Sequence, residues 1–336
     1  MQTILITGGT GLVGKRLTQM LLEKGFAVNV LSRNVNRQSA IGNHESVIVN
    51  QPTANGQSSY AKATEGRPPT VNYFQWNIDK QIIDAEAISS ADYIIHLAGA
   101  GVADKRWSKK RKAAIVSSRT QSSALIIKAL KEISNNVKGI ISASAIGWYG
   151  ADKNILSTKS FTETDTHDDA FLGTTCYQWE NSIEPVAALN KRLVKLRIGI
   201  VLSNDGGALA EFKKPLKAGV AAILGNGNQT ISWIHINDLC RMFLYAIENE
   251  NMNGVFNAVA PKPVSNKTLT LILAKATRKS FYIPVYVPSF VLKIMLGEMN
   301  IEVLKSTTVS CDKIKNEGFT FLYPSVEAAI NELNTK

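Results

Sequence analysis

Thr3-Ile4-Leu5-Ile6-Thr7-Gly8-Gly9-Thr10-Gly11-Leu12-Val13-Gly14 runs a short apolar segment straight into Gly-x-x-Gly-x-x-Gly, and the helical pattern Leu12, Leu17, Met20, Leu21 follows at once. A buried strand, a glycine turn and a helix in this order are what a dinucleotide pyrophosphate requires. Glycines permit the tight turn, let the backbone approach the phosphates, and let the helix start pack on the strand. The free N–H groups and positive dipole end of the helix then face the anion. Gly8, Thr10, Gly11, Leu12, Val13 and Gly14 are therefore candidate cofactor-binding residues.

Outward from this turn, strand-like runs fall at residues 2–7, 27–31, 71–76, 93–97, 138–142 and 193–202, with helical patterns at 11–24, 109–133 and 171–189. Such alternation predicts an α/β fold, a Rossmann-type doubly wound parallel sheet with helices on both faces. Ligands then gather at the C-terminal ends of the strands. Residues 43–69 are rich in Ser, Asn, Gln, Gly and Thr without periodicity, and read as a surface insertion. After about Ser203 glycines and prolines punctuate short segments. We expect residues 1–203 to be mainly the cofactor domain and 204–336 mainly a smaller C-terminal substrate lobe, with 232–258 returning to the main sheet.

Among 336 residues, 19% are charged and 45% hydrophobic, the balance of a soluble globular chain. No targeting segment is expected, since the first strand begins almost at Met1, and the apolar stretch 281–295 is broken by Pro284, Pro288 and Lys293. Cys176, Cys240 and Cys311 are few and far apart, which suggests neither disulfides nor a zinc site; no metal is expected, and a reducing cytoplasm fits. The net charge of +11 comes mostly from scattered lysines. Its densest cluster, Lys105-Arg106-Trp107-Ser108-Lys109-Lys110-Arg111-Lys112, opens a helix. It reads as a solvated basic face, or as an electropositive lip for a phosphorylated cofactor or acidic substrate. The expected partner is a small molecule rather than nucleic acid or a membrane, with a homodimer as the assembly to be tested.

The second strand ends Val28-Asn29-Val30-Leu31-Ser32-Arg33, without the Asp or Glu that would bond the ribose 2′-hydroxyl of NAD. Ser32 and Arg33, with Arg37 in reserve, suit a 2′-phosphate, so the expected cofactor is NADP(H). At the third strand end Asp79 could bond the adenine amino group and Ile78 pack on the ring. At the fourth, Leu97, Ala98 and Gly99 let a dinucleotide lie against the backbone, while His96 reads as a packing residue. Arg106 and Arg119, early in the long helix region, could each reach a phosphate or instead be solvent-facing or in a structural ion pair; Arg119 is a candidate for the cofactor and Arg106 for the substrate cleft. Trp233 and His235 follow the Gly225-Asn226-Gly227 turn and are candidates for that cleft; otherwise His235 packs beneath a helix capped by Asp238.

Together with the glycine turn, His96-Leu97-Ala98-Gly99 and Ser142-Ala143-Ser144-Ala145-Ile146-Gly147-Trp148-Tyr149-Gly150 resemble the extended short-chain dehydrogenase/reductases. More narrowly, Lys105-Arg106-Trp107, Ser118-Arg119-Thr120, Trp179-Glu180, Gly206-Gly207 and Ser232-Trp233-Ile234-His235-Ile236-Asn237-Asp238 resemble the atypical epimerase-family oxidoreductases. The tail is similar to the uncharacterised C-terminal domain of that subgroup. The resemblance implies a Tyr-x-x-x-Lys proton relay on the helix after the fifth strand, but here Cys176 falls at the tyrosine position and Glu180 at the lysine position. Tyr177 is one residue off and about 100° round the helix, and the textual pair Tyr149–Lys153 lies in a loop. Ser144, Tyr149, Cys176 and Glu180 remain the catalytic candidates. The chain reads as an NADP(H)-dependent oxidoreductase acting on a small carbonyl or alcohol. The alternatives are a regulatory protein that holds the cofactor without turnover, or a nucleotide-sugar epimerase or dehydratase.

Overall fold

A computed structural model describes residues 1–34, 70–152, 160–278 and 281–335. The segment 43–69, Arg37 and Lys153 lie outside the described residues. The strands are β1 (Thr3–Thr7), β2 (Ala27–Ser32), β3 (Val71–Asn77), β4 (Ile82–Ile83), β5 (Tyr93–His96), β6 (Gly139–Ala145), β7 (Arg192–Ile198), β8 (Ile200–Leu202), β9 (Val220–Leu224), β10 (Thr230–Ile231), β11 (Trp233–His235), β12 (Gly254–Ala258), β13 (Val264–Ser265) and β14 (Ile283–Val287). The α-helices are α1 (Leu12–Glu23), α2 (Ala85–Ser89), α3 (Lys109–Glu132), α4 (Phe171–Ile183), α5 (Ala208–Lys217), α6 (Ile236–Glu248), α7 (Asn266–Arg278), α8 (Ser289–Leu296), α9 (Asn300–Leu304), α10 (Asp312–Asn316) and α11 (Val326–Thr335).

Eight strands form the central sheet in the order β12-β7-β6-β5-β1-β2-β3-β4, parallel throughout except for β4 against β3. β1 lies between β2 and β5, so successive crossovers leave it in opposite directions and open a crevice at its C-terminal end. Burial on both faces explains its unbroken apolar run. Ile4 and Ile6 point to the core shared with Leu17 and Leu21 of α1 and Phe243 of α6, whereas Leu5 points to the opposite core with Leu125 and Ile126 of α3. A third core, around Leu209, Leu216, Trp233, Leu269, Leu273 and Ile330, belongs to the smaller lobe. Among the described residues no helix is long and apolar enough to cross a membrane.

Four expectations are corrected. The run 138–142 extends to Ala145, so Ser144 stands within β6 rather than in a loop. The run 193–202 breaks at Gly199, where a Cβ would lie 2.7 Å from the Ser232 carbonyl oxygen; the crossing chain leaves room only for glycine. Because of that break β8 turns away to pair with β11, so 232–238 does not return to the main sheet; only β12 does, beside β7. Helix 171–189 stops at Ile183, and Pro185 opens a 3-10 segment, Glu184–Leu189. The sequence reading also passed over α2, although Asp84 marks its start: the carboxylate accepts the Glu86 N–H at 3.0 Å.

At the crevice, Thr7 organises the neighbouring strand end. Its Oγ1 accepts the N–H groups of Leu97 and Ala98 at 3.1 and 3.2 Å, and lies 2.7 Å from His96 Nδ1. With its lone pairs taken, the hydroxyl donates to Nδ1, which leaves Nε2–H to face Ser123 Oγ at 3.2 Å. His96 is thus a buried neutral imidazole, and burial, with Arg119 nearby, pulls its pKa from 6.5 down to about 3. The unfolded chain binds this proton below pH 6.5 and the fold does not. Its contribution is complete above pH 6.5 and fades by up to about 1.4 kcal/mol per pH unit as pH falls towards 3. Chemical denaturation of wild type and His96→Gln across pH 4–7 should show a shallower pH slope in the variant; parallel slopes would contradict this assignment.

Candidate functional site

The glycine turn builds an anion cradle from backbone alone. Gly11 N–H donates to Gly8 O at 3.0 Å, closing the turn. Gly8 has φ +70°, and a Cβ there would stand 2.9 Å from the Leu97 carbonyl; a Cβ on Gly14 would stand 2.4 Å from Gly8 O. Helix α1 starts at Gly11 with no side-chain cap and no acidic residue in its first turn, so the N–H groups of Leu12 and Val13 are left for a ligand. Thr10 and Gly11 are exposed at the opening. These features fit a dinucleotide diphosphate.

The neighbouring strand ends complete the crevice. Ser32 Oγ accepts the Asn34 N–H at 3.2 Å, tightening the turn after β2 and leaving Arg33 exposed beside it. After β3, Ile78 is half-buried and packs on the α3 side, while Asp79 is exposed. Leu97, Ala98 and Gly99 continue from β5 against Gly8. Arg119 is employed differently from the phosphate contact expected of it. Its Nη1 donates to the carbonyls of Ala100 and Ile115 at 3.0 and 2.8 Å, its guanidinium lies 4.8 Å over the Trp179 ring, and Ser118 Oγ accepts the Ala100 N–H at 2.9 Å. Ser118 and Arg119 therefore hold the loop along which the dinucleotide would lie.

Three of the four catalytic candidates come together, around a residue the sequence reading missed. Arg197, inside β7, donates Nε to Glu180 Oε1 at 2.8 Å and Nη2 to Oε2 at 3.1 Å. Ser144 Oγ donates to the same Oε1 at 2.7 Å. Arg197 Nη1 donates to the Tyr149 hydroxyl at 3.0 Å, and that hydroxyl donates to Asn257 Oδ1 at 2.7 Å. All five side chains are buried. Burial, opposed by Arg197, raises the Tyr149 pKa to about 12. Ser144, Tyr149 and Glu180 thus form a saturated interior network. Two charged residues, Lys195 and Arg197, within the otherwise apolar run 193–198 were the available signal.

Cys176 makes no hydrogen bond to that network and is buried beneath Gly147, its Sγ 3.6 Å from where a Cβ there would be. Burial, reinforced by Glu180, pushes its pKa up to about 12. Trp233 and His235 do not line the cleft. Trp233 is fully buried with Nε1–H on Lys262 O at 2.9 Å. His235 caps α6 by accepting the Asn237 N–H at 3.1 Å, with Nε2 3.0 Å from Glu332 and its ring 3.9 Å from Tyr323. Asp238, one turn on, accepts the N–H groups of Leu322 and Tyr323, both at 2.9 Å. The C-terminal chain that supplies these partners closes both residues off. Arg106 is exposed and lies against Gly297 of the smaller lobe. Among the described residues no group of three or more His, Cys, Asp or Glu side chains could hold a metal ion.

Two outcomes follow from this geometry. Burial raises the pKa values of Cys176, Cys240 and Cys311 to about 12, 12 and 11, so all three remain protonated at pH 8. Iodoacetamide should label none of them until the chain unfolds, and rapid native-state labelling would refute their enclosure. Arg197→Met strands the Glu180 carboxylate and should cost about 3–5 kcal/mol in urea unfolding. The double variant with Glu180→Leu should lose less than the two single losses combined; strict additivity would show that the pair is not coupled.

The sequence profile described as NAD dependent epimerase/dehydratase family matches residues 4–258, and one described as a domain of unknown function, DUF1731, matches residues 287–333. An epimerase family protein of Staphylococcus haemolyticus is 32% identical over 333 residues, covering 99% of each chain. The human epimerase family protein SDR39U1 (isoform 2), solved with NADPH, shares the fold with a TM-score of 0.78 at 24% identity over 99% of each chain. A nucleoside-diphosphate sugar epimerase of Corynebacterium glutamicum is 28% identical with a TM-score of 0.71; the match takes in all of this chain and 59% of that one. The glycine turn, the crevice beside β1 and the full-length match agree: this chain belongs to the NAD dependent epimerase/dehydratase family.

Proposed function

We propose that this protein is an NADP(H)-dependent oxidoreductase acting on a small carbonyl or alcohol substrate. The observation that carries the reading is the end of β2, where Arg33 is exposed beside Ser32 and no carboxylate occupies the position that would bond a free ribose 2′-hydroxyl. The structure of the human relative with NADPH supports it. Backbone N–H groups of residues 11–13 would hold the diphosphate, Arg33 the 2′-phosphate, Ile78 and Asp79 the adenine, and residues 97–99 the nicotinamide half. When bound, the nicotinamide supplies or accepts a hydride.

The chain's own residues orient the reaction and limit its proton chemistry. Ser144 directs its hydroxyl hydrogen to Glu180 and Tyr149 directs its own to Asn257, so neither has a proton to give a substrate oxygen. Cys176 is buried and keeps its proton at Sγ through neutral pH, so it is not a nucleophile. Water reaching the cleft therefore completes carbonyl reduction. This same sequestration favours a second reading, a regulator that holds NADP(H) without turnover. Nucleotide-sugar epimerisation gains no support from Cys176 and Glu180 in the positions of the usual tyrosine and lysine.

In fluorescence titration NADPH should bind more tightly than NADH. Arg33→Ser should reduce that preference roughly 10- to 100-fold, the loss of a charge-assisted contact worth about 1.5–3 kcal/mol. Tighter binding of NADH would sink the reading. Oxidation of bound NADPH by any member of a panel of aldehydes, ketones and quinones would favour the enzyme; tight binding with no turnover across the panel would favour the regulator.

A further inference from the structure

Residues 297–308 run between the segment after β5 and the loop after β6. At one end Glu298 pairs with Lys112, and the Arg106 guanidinium lies over Gly297, its Nη2 3.1 Å from where a Cβ would stand. At the other end Lys305 Nζ donates to Tyr149 O at 3.3 Å, Asp152 N–H donates to Ser306 O at 2.9 Å, and Thr308 N–H donates to the Asp152 carboxylate at 2.8 Å. The first contacts lie in the segment after β5 and the second in the loop after β6. These strands are neighbours, so the segment spans the space above their ends. Arg106 sits at the mouth of that space, where the two lobes meet.

The charges around the mouth are unbalanced. Asp104 is taken by Arg111 at 3.3 Å and Glu298 by Lys112, while no carboxylate among the described residues pairs with Arg106. Helix α3 has no acidic residue in its first turn and carries Lys109, Lys110, Arg111 and Lys112 there, at the positive end of its dipole. That placement is unfavourable within the chain itself and is relieved by an external anion. Trp107 is fixed by Nε1–H on Val102 O at 3.0 Å and by its edge contact with Phe171, 4.9 Å between centroids, at the start of α4. This anchors the backbone that presents Arg106. Gly297, at φ +63°, has no side chain to push the guanidinium away.

We infer that the cleft takes an anionic substrate, a carboxylate or a phosphate ester, and that Arg106 is the residue that recognises its charge. The inference rests on the oxidoreductase reading for what happens to the substrate, but not for its binding. A planar guanidinium held at the rim offers paired donors to either oxyanion.

The test uses the full chain saturated with NADPH, so that the cofactor's own phosphate sites are filled. Benzoate, phenyl phosphate and uncharged benzamide are titrated while NADPH fluorescence is followed. At least one anion should bind at least roughly tenfold more tightly than benzamide, and the stronger of the two identifies the oxyanion. Arg106→Gln should weaken that anion roughly 10- to 100-fold and leave NADPH affinity unchanged. Lys131→Gln, exposed at the far end of α3, should leave both unchanged. Equal binding of all three probes, binding of neither anion, or an Arg106→Gln variant that binds anions like wild type would each overturn the inference. If the wild type failed to bind NADPH, the oxidoreductase reading would fall alone. The same titrations followed by tryptophan fluorescence, to which Trp107 contributes beside the site, would then still decide for or against Arg106.

Discussion

A guanidinium inside a β-sheet is tolerable only if its charge is matched and its donors are occupied, and Arg197 meets both conditions through a single carboxylate and its neighbours. Glu180 reaches it from α4, Ser144 braces that carboxylate from β6, and Tyr149 joins it to Asn257 on β12. The Trp148 ring covers the cation at 3.6 Å. Three neighbouring parallel strands and the helix packed on them are thereby tied together. The network also fixes the rotation of α4, turning Glu180 inward and Cys176 towards Gly147. Where the resemblance implies a proton relay, this helix supplies a carboxylate that holds the interior together.

What could be read from the chain was local. The turn after β1 is legible because each glycine answers a contact within a few residues, or a strand end whose pattern is equally plain. Alternation of apolar runs likewise announced the parallel sheet, since strands buried on both faces leave unbroken apolar segments. The interior network was not legible, because Arg197 meets partners 17 and 48 positions away and Tyr149 one 108 positions away. Trp233 and His235 misled for the same reason. A glycine turn just before them suggests an open cleft, but Trp233 is bonded to Lys262 and His235 is covered only when Tyr323 and Glu332 arrive. Gly199 hid within an apolar run whose interruption depends on the Ser232 carbonyl.

The two lobes meet on both sides of the crevice. On the cofactor side Leu12, in the first turn of α1, lies against Gly206 and Gly207 at the start of α5, so the smaller lobe rests directly on the anion cradle. On the far side 297–308 rests on the loops after β5 and β6. The contacts are thus divided unequally: the anion cradle is backbone of the larger lobe, while the segment 297–308 is held through side chains from both lobes.

That division has an order in time. Every element of the anion cradle lies within the first hundred residues, but the segment that joins the loops after β5 and β6 is translated only after residue 296. During synthesis the larger lobe can assemble its nucleotide surface while the crevice is still open above, since domains emerging first tend to fold first. The glycine turn and Arg106 therefore exist before the segment that the guanidinium packs against. A chain ending just before Gly297 would keep both and lose the strap that joins the loops after β5 and β6.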